Sequence, residues 1–415
     1  MEKLQSIRGT KDILPDSIYF WQFIFDKFKG ISNQFNYKEI RTPIFEKTEV
    51  FHRSIGETTD IVNKEMYTFL DRGGESITLR PEATAALVRS VIQNSLLHES
   101  NLLRLWYFGP FFRYERPQKG RLRQFHQYGA ELHGSPFPEA DAETIFLAIA
   151  LIKSIGISKF KLLINSLGNE NSRQIYRKEL IKFLQENENH LSQESQVRMQ
   201  TNPLRVLDSK EERDIEILQN APIILNFLDE ESNLHFDTLK KILQSQEINF
   251  EIDTKLVRGL DYYSHSVFEF RSTMLGSQDS FGGGGRYDNL FEQLGGKQTP
   301  AVGFAFGIER LLLILENANL LPNAANAPDY YVISQNIEYI HYVNKITNIL
   351  REKGKSVITD VSRKSLKAQL RDANKLNVST VIIIGEDEFK NNQFTLKNLD
   401  TSEQKILEFN SIQNL

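Results

Sequence analysis

The stretch "FFRYERPQKGRLRQFHQYGAEL", residues 111–132, decides how the chain is read. From Arg113 to Arg123 it carries five basic side chains (Arg113, Arg116, Lys119, Arg121 and Arg123) against one acid, Glu115. Pro117 and Gly120 interrupt it, so the pattern predicts two extended segments, 104–116 and 123–133, joined by a long turn. Side chains alternate across a strand. Arg113 and Glu115 therefore share one face of the first segment, and Phe125, Gln127, Gly129 and Glu131 share one face of the second. If those faces coincide, one side of the hairpin presents a cation, two carboxylates, an amide and an aromatic plate. A sheet face that polar is either solvated or a site, and the bulk of Phe111, Phe112, Phe125 and Tyr128 argues against a freely solvated ribbon. The loop cations Arg116, Lys119, Arg121 and Arg123 suit a polyanion, either nucleotide phosphate or nucleic-acid backbone, although a solvated turn is the usual fate of a charge run.

On the N-terminal side of this hairpin, residues 17–35 space their apolar side chains as an amphipathic helix. "EIRTPIFEK" (39–47) is extended because Pro43 pushes its neighbour out of helical geometry. "ESITLRPEATAALVRSVIQNSLL" (75–97) predicts a short strand and then a helix opened by Pro81 and Glu82. On the C-terminal side a helix is expected over 138–155. The glycine-free span between Gly168 and Gly259 reads as a helical insertion at about 170–248 in a strand-rich domain. Strands are expected again at 249–258 and 261–272. "AVGFAFGIERLLLILENA" (301–318) is a strand running into a helix. A cation in the first turn of that helix opposes its dipole, so Arg310 is expected to answer an anion. The glycines of "FGGGGRYD" (281–288) match no phosphate-loop pattern and point instead to close approach by a ligand or another strand. "RGLDYY" (258–263), taken alone, fits a loop held by a structural salt bridge.

"NANLLPNAANAP" (317–328) is a polar, proline-punctuated linker, which divides the chain into 1–325 and 328–415. Beyond it come strand 329–335, helix 337–353, a further strand, helix 364–376 and strand 379–385, an α/β alternation. Arg363, Lys367, Arg371 and Lys375 recur at steps of four, a cationic stripe on one helix face. Between Arg351 and Lys375 stand eight basic and three acidic residues, while the whole chain is at −4, a contrast that suits docking of a polyanion.

Composition bounds the rest. The 415 residues, 40% hydrophobic and 25% charged, are ordinary for a soluble globular protein of two or three domains. With no cysteine, disulfides, thiolate metal sites and a cysteine nucleophile are excluded. The eight histidines show no ligand spacing such as HExxH, so no structural metal is expected. No apolar run is long enough to span a membrane, and "MEKLQSIRGTKDILP" lacks a signal-peptide core, so a cytoplasmic protein is expected.

In this order, the segments resemble the histidyl-tRNA synthetases, class II aminoacyl-tRNA synthetases, over nearly the whole chain. "IRGTKDILP" (7–15) resembles the family's N-terminal signature. "EIRTPIFE" is similar to class II motif one, "FRYERPQKGRLRQFHQYGAE" to motif two and "GFAFGIER" to motif three. "TLRPEAT", "LVRGLDYY" and "GGRYD" resemble the histidine-specific signatures, and "TNPLRVLDSK" (201–210) the bacterial form. The resemblance implies an α+β fold, an antiparallel class II sheet flanked by helices in a catalytic domain (1–325), and an α/β anticodon-binding domain (328–415). It implies ligation of L-histidine to tRNA(His) through a histidyl adenylate, with ATP and Mg2+, in a homodimer. Arg113 and Arg258 would stabilise the α-phosphate. Glu82, Ala83, Thr84, Gln127, Glu131, Tyr263 and Tyr287 would bind histidine together with those arginines, Glu131 reading the ring. Glu115, Arg121, Phe125 and Arg310 would bind ATP with Arg113. Gln118, Lys119 and Arg121 would reach the tRNA acceptor end, and Lys367 and Arg371 the anticodon region. Ala83 stands where the family usually has glycine, and Leu122 where it often has an aromatic. The competing reading is a non-catalytic paralogue, the regulatory subunit of ATP phosphoribosyltransferase. Such paralogues lose catalytic signatures and the C-terminal domain, whereas this chain keeps Arg113, Arg258, Arg310 and 88 residues beyond the linker.

Overall fold

Bulky and small residues alternate along the hairpin, and the sheet built on it has two unlike faces. The computed structural model describes residues 3–415 apart from 57, 58, 60, 99, 119, 277, 278 and 323–326. Leu103–Phe112 and Gln124–His133 pair antiparallel in unbroken register, from Leu103 opposite His133 to Phe112 opposite Gln124. They lie inside an eight-stranded sheet. Its order is Lys38–Glu39, Leu103–Phe112, Gln124–His133, Ala301–Gly307, Ser280–Arg286, Ser264–Arg271, Lys161–Ser166, Glu251–Ile252. The six inner strands are antiparallel, as expected, while each two-residue edge strand runs parallel to its neighbour.

Four local expectations change. The first hairpin strand stops at Phe112 rather than 116, because Tyr114 turns its N–H to the Glu65 carbonyl at 2.7 Å, outside the ladder. The helix expected at Pro81 begins at Thr84, and Glu82 caps it by accepting from the Thr84 and Ala85 N–H groups at 2.6 and 2.9 Å. The expected strand 249–258 shrinks to Glu251–Ile252, which leaves "RGLDYY" in turns. Lys161–Ser166 is an additional strand, next to the edge of the sheet; at six residues it is too short for its period to be told from that of its helical neighbours.

One face of the sheet carries Trp106, Tyr128, Ala130, Phe304 and Phe306. They are buried against Ile24 and Phe28 of helix Pro15–Gln34, Ile145 and Leu151 of helix Pro138–Ser154, and Leu239 and Leu243 of helix Glu230–Ser245. Each of the Leu, Ile and Phe side chains stabilises the fold by roughly 1.5–3 kcal/mol. The opposite face belongs to a second core, which Leu180, Leu184 and Val206 of the insertion help to close. The insertion is helical as expected, with helices Glu170–Glu186, Gln193–Thr201, Glu212–Ile217 and Glu230–Ser245. It is tied to the "RGLDYY" loop by Arg173 Nη1 donating to the Tyr263 carbonyl at 2.6 Å and Asn202 Nδ2 donating to Asp261 Oδ1 at 2.8 Å. A separate three-stranded sheet, Phe45–Lys47, Ser76–Leu79 and Tyr67–Leu70, leaves Ile44, Phe45, Phe69 and Leu70 exposed.

Two compact units divide the chain, Met1–Pro322 and Asn323–Leu415. The middle of the expected linker, 323–326, lies outside the described residues. In the second unit the strand order is Val357–Thr359, Tyr330–Ser334, Thr380–Ile384, Gln393–Asn398, Gln404–Glu408. The first three are parallel and packed with helices Ile340–Glu352 and Leu366–Lys375, which is the alternation read from the sequence. The last two form an antiparallel hairpin that the sequence reading did not include. Arg363 falls before the helix, in left-handed backbone (φ 55°), so the helical stripe holds Lys367, Arg371 and Lys375 only.

A buried ion pair locks the glycine strand to the helical layer. Arg286, at the end of Ser280–Arg286, and Asp141, in the first turn of Pro138–Ser154, are both 0% exposed. Arg286 donates from Nε to Asp141 Oδ2 at 3.1 Å, again to Asp141 from Nη2, and from Nη1 to the Ser135 carbonyl at 2.8 Å. Burial alone would raise the Asp141 carboxyl, but the Arg286 charge and His235 hold it below the usual carboxylate range. The pair therefore stabilises the fold above the unfolded carboxyl pKa and loses that contribution as pH falls through the depressed folded value. Arg286→Met is expected to cost about 3–5 kcal/mol near neutrality by stranding a buried carboxylate. The gap to the parent, measured by urea unfolding, should narrow as the pH is lowered and the stranded carboxyl protonates.

Candidate active site

The cleft exists because one face of the sheet is floored with small residues. Opposite Phe125, Gln127, Gly129 and Glu131 stand Phe111, Gly109, Tyr107 and Leu105 on one side. Gly307, Ala305 and Gly303 stand opposite Gln127, Gly129 and Glu131 on the other. Paired residues project to the same face. The result is a cavity of about 750 Å³ over a glycine-rich floor. At Gly303 a Cβ would collide with Glu131 Oε2, and at Gly283 it would lie 2.9 Å from the Arg258 guanidinium. The glycine strands thus make room for functional side chains, whereas the sequence reading expected a ligand or another strand; at Gly284 the neighbouring strand does come close, a Cβ there meeting the Gly303 carbonyl.

At the inner end of the cleft Glu131 is 1% exposed. Its Oε1 accepts from Thr84 Oγ1 at 2.9 Å and its Oε2 from the Tyr287 hydroxyl at 2.6 Å. Burial pushes its carboxyl up to about 8, against the Tyr287 and Thr84 hydrogen bonds and with the charge of Glu82 adding to the rise. Burial likewise raises Glu82, opposed by its bonds from Ala85 and Thr84 and by Arg113. The Tyr263 and Tyr287 phenols are pushed up by burial and stay neutral donors. This end is shaped for a small group that exchanges a hydrogen bond with a buried carboxyl among phenols.

The outer part is cationic. Arg113 lies 5.2 Å over the Phe125 ring and donates from Nε to the Pro81 carbonyl at 2.9 Å. Glu115 faces Arg113 at 3.8 Å and Arg121 at 3.3 Å. Arg258 pairs with Glu269 at 2.7 Å, and Glu269 also takes Arg271 at 2.6 Å. Arg310 donates from Nε to the Gly120 carbonyl at 3.2 Å and from Nη1 to the Ser280 carbonyl. Burial lowers its pKa, and the charge of Arg121 lowers it further. Its neighbour Glu309 turns away, accepting from the His126 backbone N–H at 2.9 Å, so the helix end leaves its cation to the cleft. Arg113, Arg121, Arg258, Arg271 and Arg310 lie along this part of the lining with Glu115, Glu269 and Asp279 among them, and fixed guanidiniums so placed suit a polyphosphate.

The lining brings together Glu82, Ala83, Thr84, Arg113, Glu115, Arg121, Phe125, Gln127, Glu131, Arg258, Tyr263, Tyr287 and Arg310. Gln118 is outside it, at the loop tip, where it forms an isolated bridge with Arg121. Lys119 lies outside the described residues. Lys367 and Arg371 are exposed on helix Leu366–Lys375 of the second unit. The sequence reading missed Glu269, whose alternation with Val267 and Arg271 in "VFEFR" was the available signal. It also missed Arg205 and Lys210, which the insertion sends into the cleft from within "TNPLRVLDSK".

The description "Histidyl-tRNA synthetase" belongs to the family model that matches residues 9–311. The chain belongs to the histidyl-tRNA synthetase family. A histidine–tRNA ligase of Acaryochloris marina is 46% identical over 412 residues, 99% of this chain and 95% of that protein. One from Listeria monocytogenes is 45% identical over 407 residues, 97% of this chain and 96% of its own length. The apo histidyl-tRNA synthetase of S. aureus superimposes with a TM-score of 0.84 at 36% identity, covering 99% of both chains. A second family model, "Anticodon binding domain", matches residues 329–414. This member of the histidyl-tRNA synthetase family is therefore an enzyme, a ligase of the aminoacyl-tRNA synthetase type.

Gly303→Ala tests the floor of the cleft. The added methyl should displace the Glu131 carboxylate from Thr84 and Tyr287 and lower histidine-dependent ATP–pyrophosphate exchange about tenfold or more. The circular dichroism spectrum should remain that of the parent.

Proposed function

We propose that this chain ligates L-histidine to tRNA(His) in two steps within the one cleft, activating histidine with ATP and then transferring it to the terminal ribose of the tRNA. The observation that carries the reading is the adjacency of a buried carboxylate–phenol pocket and a bank of arginines along a single floor. In the first step a histidine carboxylate oxygen attacks the α-phosphorus of ATP. The new bond joins carboxylate oxygen to phosphorus, the bond to the β-phosphate oxygen breaks, and pyrophosphate leaves. Two anions must meet and charge accumulates on the phosphoryl oxygens, so fixed cations near the α-phosphate lower the barrier. Arg113 and Arg258 supply them, each oriented by a fixed partner, the Pro81 carbonyl and Glu269. Phe125 stacks on adenine, Glu115 accepts from its amino group, and Arg310 with Arg121 meets the outer phosphates.

Glu131 accepts from the imidazole, and Tyr263, Tyr287 and Gln127 line the ring site. A pocket that hydrogen-bonds a ring N–H rejects apolar isosteres by leaving its own buried groups unpaired. Glu82, Ala83 and Thr84 hold the α-amino end. In the second step the tRNA hydroxyl oxygen bonds to the adenylate carbonyl carbon, the bond from that carbon to the phosphate oxygen breaks, and AMP leaves as the hydroxyl proton passes to the departing phosphate oxygen or to water. Mg2+ enters as part of the ATP substrate, since Glu115 and Glu269 are already engaged by arginines.

Gln118, Lys119 and Arg121 lie at the loop that would meet the tRNA acceptor end. Residues 328–415 serve as the anticodon-binding domain, with Lys367 and Arg371 on its tRNA-facing surface, and 1–325 as the catalytic domain. Exposed Ile44, Phe45, Phe69 and Leu70 on the small sheet favour a homodimer through that face. A cytoplasmic location accords with these substrates. Retention of Arg113, Arg258 and Arg310 in one cleft weighs against a non-catalytic regulatory subunit.

ATP–pyrophosphate exchange with each of the twenty amino acids is expected to respond to histidine alone; exchange with another would overturn the assignment. Glu131→Ala should raise the KM for histidine about tenfold or more with little change in that for ATP. Replacing Lys367 and Arg371 together by alanine should raise the KM for tRNA and reduce the slope of log affinity against log salt by about 2, with pyrophosphate exchange retained. Normal charging by the double variant at physiological salt would place the tRNA contacts elsewhere.

A further inference from the structure

Behind the ring pocket stands a histidine that no step above uses. His133 ends the strand that carries Glu131, is 0% exposed, and packs edge-on against Phe291 at 5.1 Å. Its Nε2 lies 3.2 Å from the Tyr287 hydroxyl, whose proton side is 2.6 Å from Glu131 Oε2. Its Nδ1 is buried and meets no hydrogen-bond partner among the described residues. We propose that His133 is a positioning residue for histidine recognition: by donating Nε2–H to Tyr287 it obliges that hydroxyl to donate to Glu131, which keeps Oε2 an acceptor.

A phenolic hydroxyl has one proton, so the chain His133–Tyr287–Glu131 can run in two directions. In one, Nε2–H donates to Tyr287 and Tyr287 donates to a carboxylate. In the other, a neutral Glu131 donates to Tyr287, Tyr287 donates to a bare Nε2, and the ring proton sits on Nδ1. That second arrangement leaves an N–H buried with nothing to accept it, which native interiors rarely tolerate; a bare ring nitrogen is the milder defect. Burial holds the ring neutral by pushing its pKa down to about 3, so the choice is between tautomers and not between charge states. The lack of an acceptor for Nδ1 among the described residues therefore sets the direction of a hydrogen-bond chain that ends in the pocket. Thr84 adds a second donor at Oε1, and Glu131 is part of the cleft lining. The groups facing Glu131 are Glu82 from the segment before helix Thr84–Gln93, Thr84 at the start of that helix, Tyr107 from the adjacent strand, Tyr262 and Tyr263 from the "RGLDYY" loop, and Tyr287. Facing His133 are the Tyr287 phenol and the Phe291 ring.

The inference rests on Glu131 reading the substrate ring, and the test separates the two. His133→Phe preserves an aromatic ring without the donor, and His133→Gln restores an N–H near the position of Nε2. In ATP–pyrophosphate exchange, His133→Phe is expected to raise the KM for histidine about three- to tenfold, leave that for ATP unchanged, and move the pH midpoint of the histidine KM upward by about half a unit to one unit. His133→Gln should recover most of both. A His133→Phe profile that superimposes on the parent's, in an assay where Glu131→Ala still raises the histidine KM, overturns the role of His133 alone. If Glu131→Ala leaves that KM unchanged, the pocket assignment fails first. Should His133→Phe not fold, the ring-nitrogen shifts of the 15N-histidine-labelled parent decide. The non-titrating neutral ring is expected as the Nε2–H tautomer from about pH 5 to about pH 8, and an Nδ1–H tautomer there overturns the proposal.

Discussion

A carboxyl group taken out of water loses its hydration and needs donors in its place, and Glu131, pushed up by burial even with two of them, sets that condition for the centre of this molecule. Its donors come from far apart in the chain. Thr84 opens a helix and Tyr287 follows the glycine strand, 47 and 156 residues away from Glu131. Both must be delivered to one strand face at hydrogen-bond distance, and Gly303 must be bare so that the carboxylate fits. The buried Arg286–Asp141 pair fixes the residue before Tyr287 against the helical layer, so the rigidity of the far side of the sheet reaches the pocket through one peptide. Aromatic packing on that side and glycines on this side are two parts of one solution.

The arginines obey a different constraint. Like charges repel, and the five guanidiniums named along this cleft are tolerated because Glu115 and Glu269 sit among them and backbone carbonyls accept from Arg113 and Arg310. Held this way they are already oriented before an anion arrives. Little reorganisation is then required at the moment of bond making, which is where a site of fixed dipoles gains over water. The lowered Arg310 pKa reflects burial and the positive neighbourhood that an incoming polyphosphate would neutralise.

Much of this was legible in the sequence because it depends on periods and punctuation. Alternation put Phe125, Gln127 and Glu131 on one face, proline and glycine marked the turn, and the absence of glycine marked the insertion. The failures are equally physical. Tyr114 leaves the ladder for Glu65, a contact between residues 49 positions apart that no local rule encodes. The edge strands Lys38–Glu39 and Glu251–Ile252 are two residues each and have no period to detect. Glu82 looked like a first-turn residue and is instead the cap, since helix ends depend on which carboxylate finds the free N–H groups. Glu269 and His133 were passed over because their importance lies in the partner they hold and not in their own pattern.

The ties from the insertion to the "RGLDYY" loop bear on how defects in this enzyme would present. Neither Arg173 nor Asn202 lines the cleft, yet they hold the Tyr263 carbonyl and the Asp261 carboxylate of the loop that carries Arg258 and Tyr263. A lesion in those surface helices would loosen the loop at both points and be scored, by any assay of charging, as damage to chemistry. Genetic maps of the protein would then show an apparent active site larger than the cleft, with its outlying members on helices Glu170–Glu186 and Gln193–Thr201 and the turn after the second.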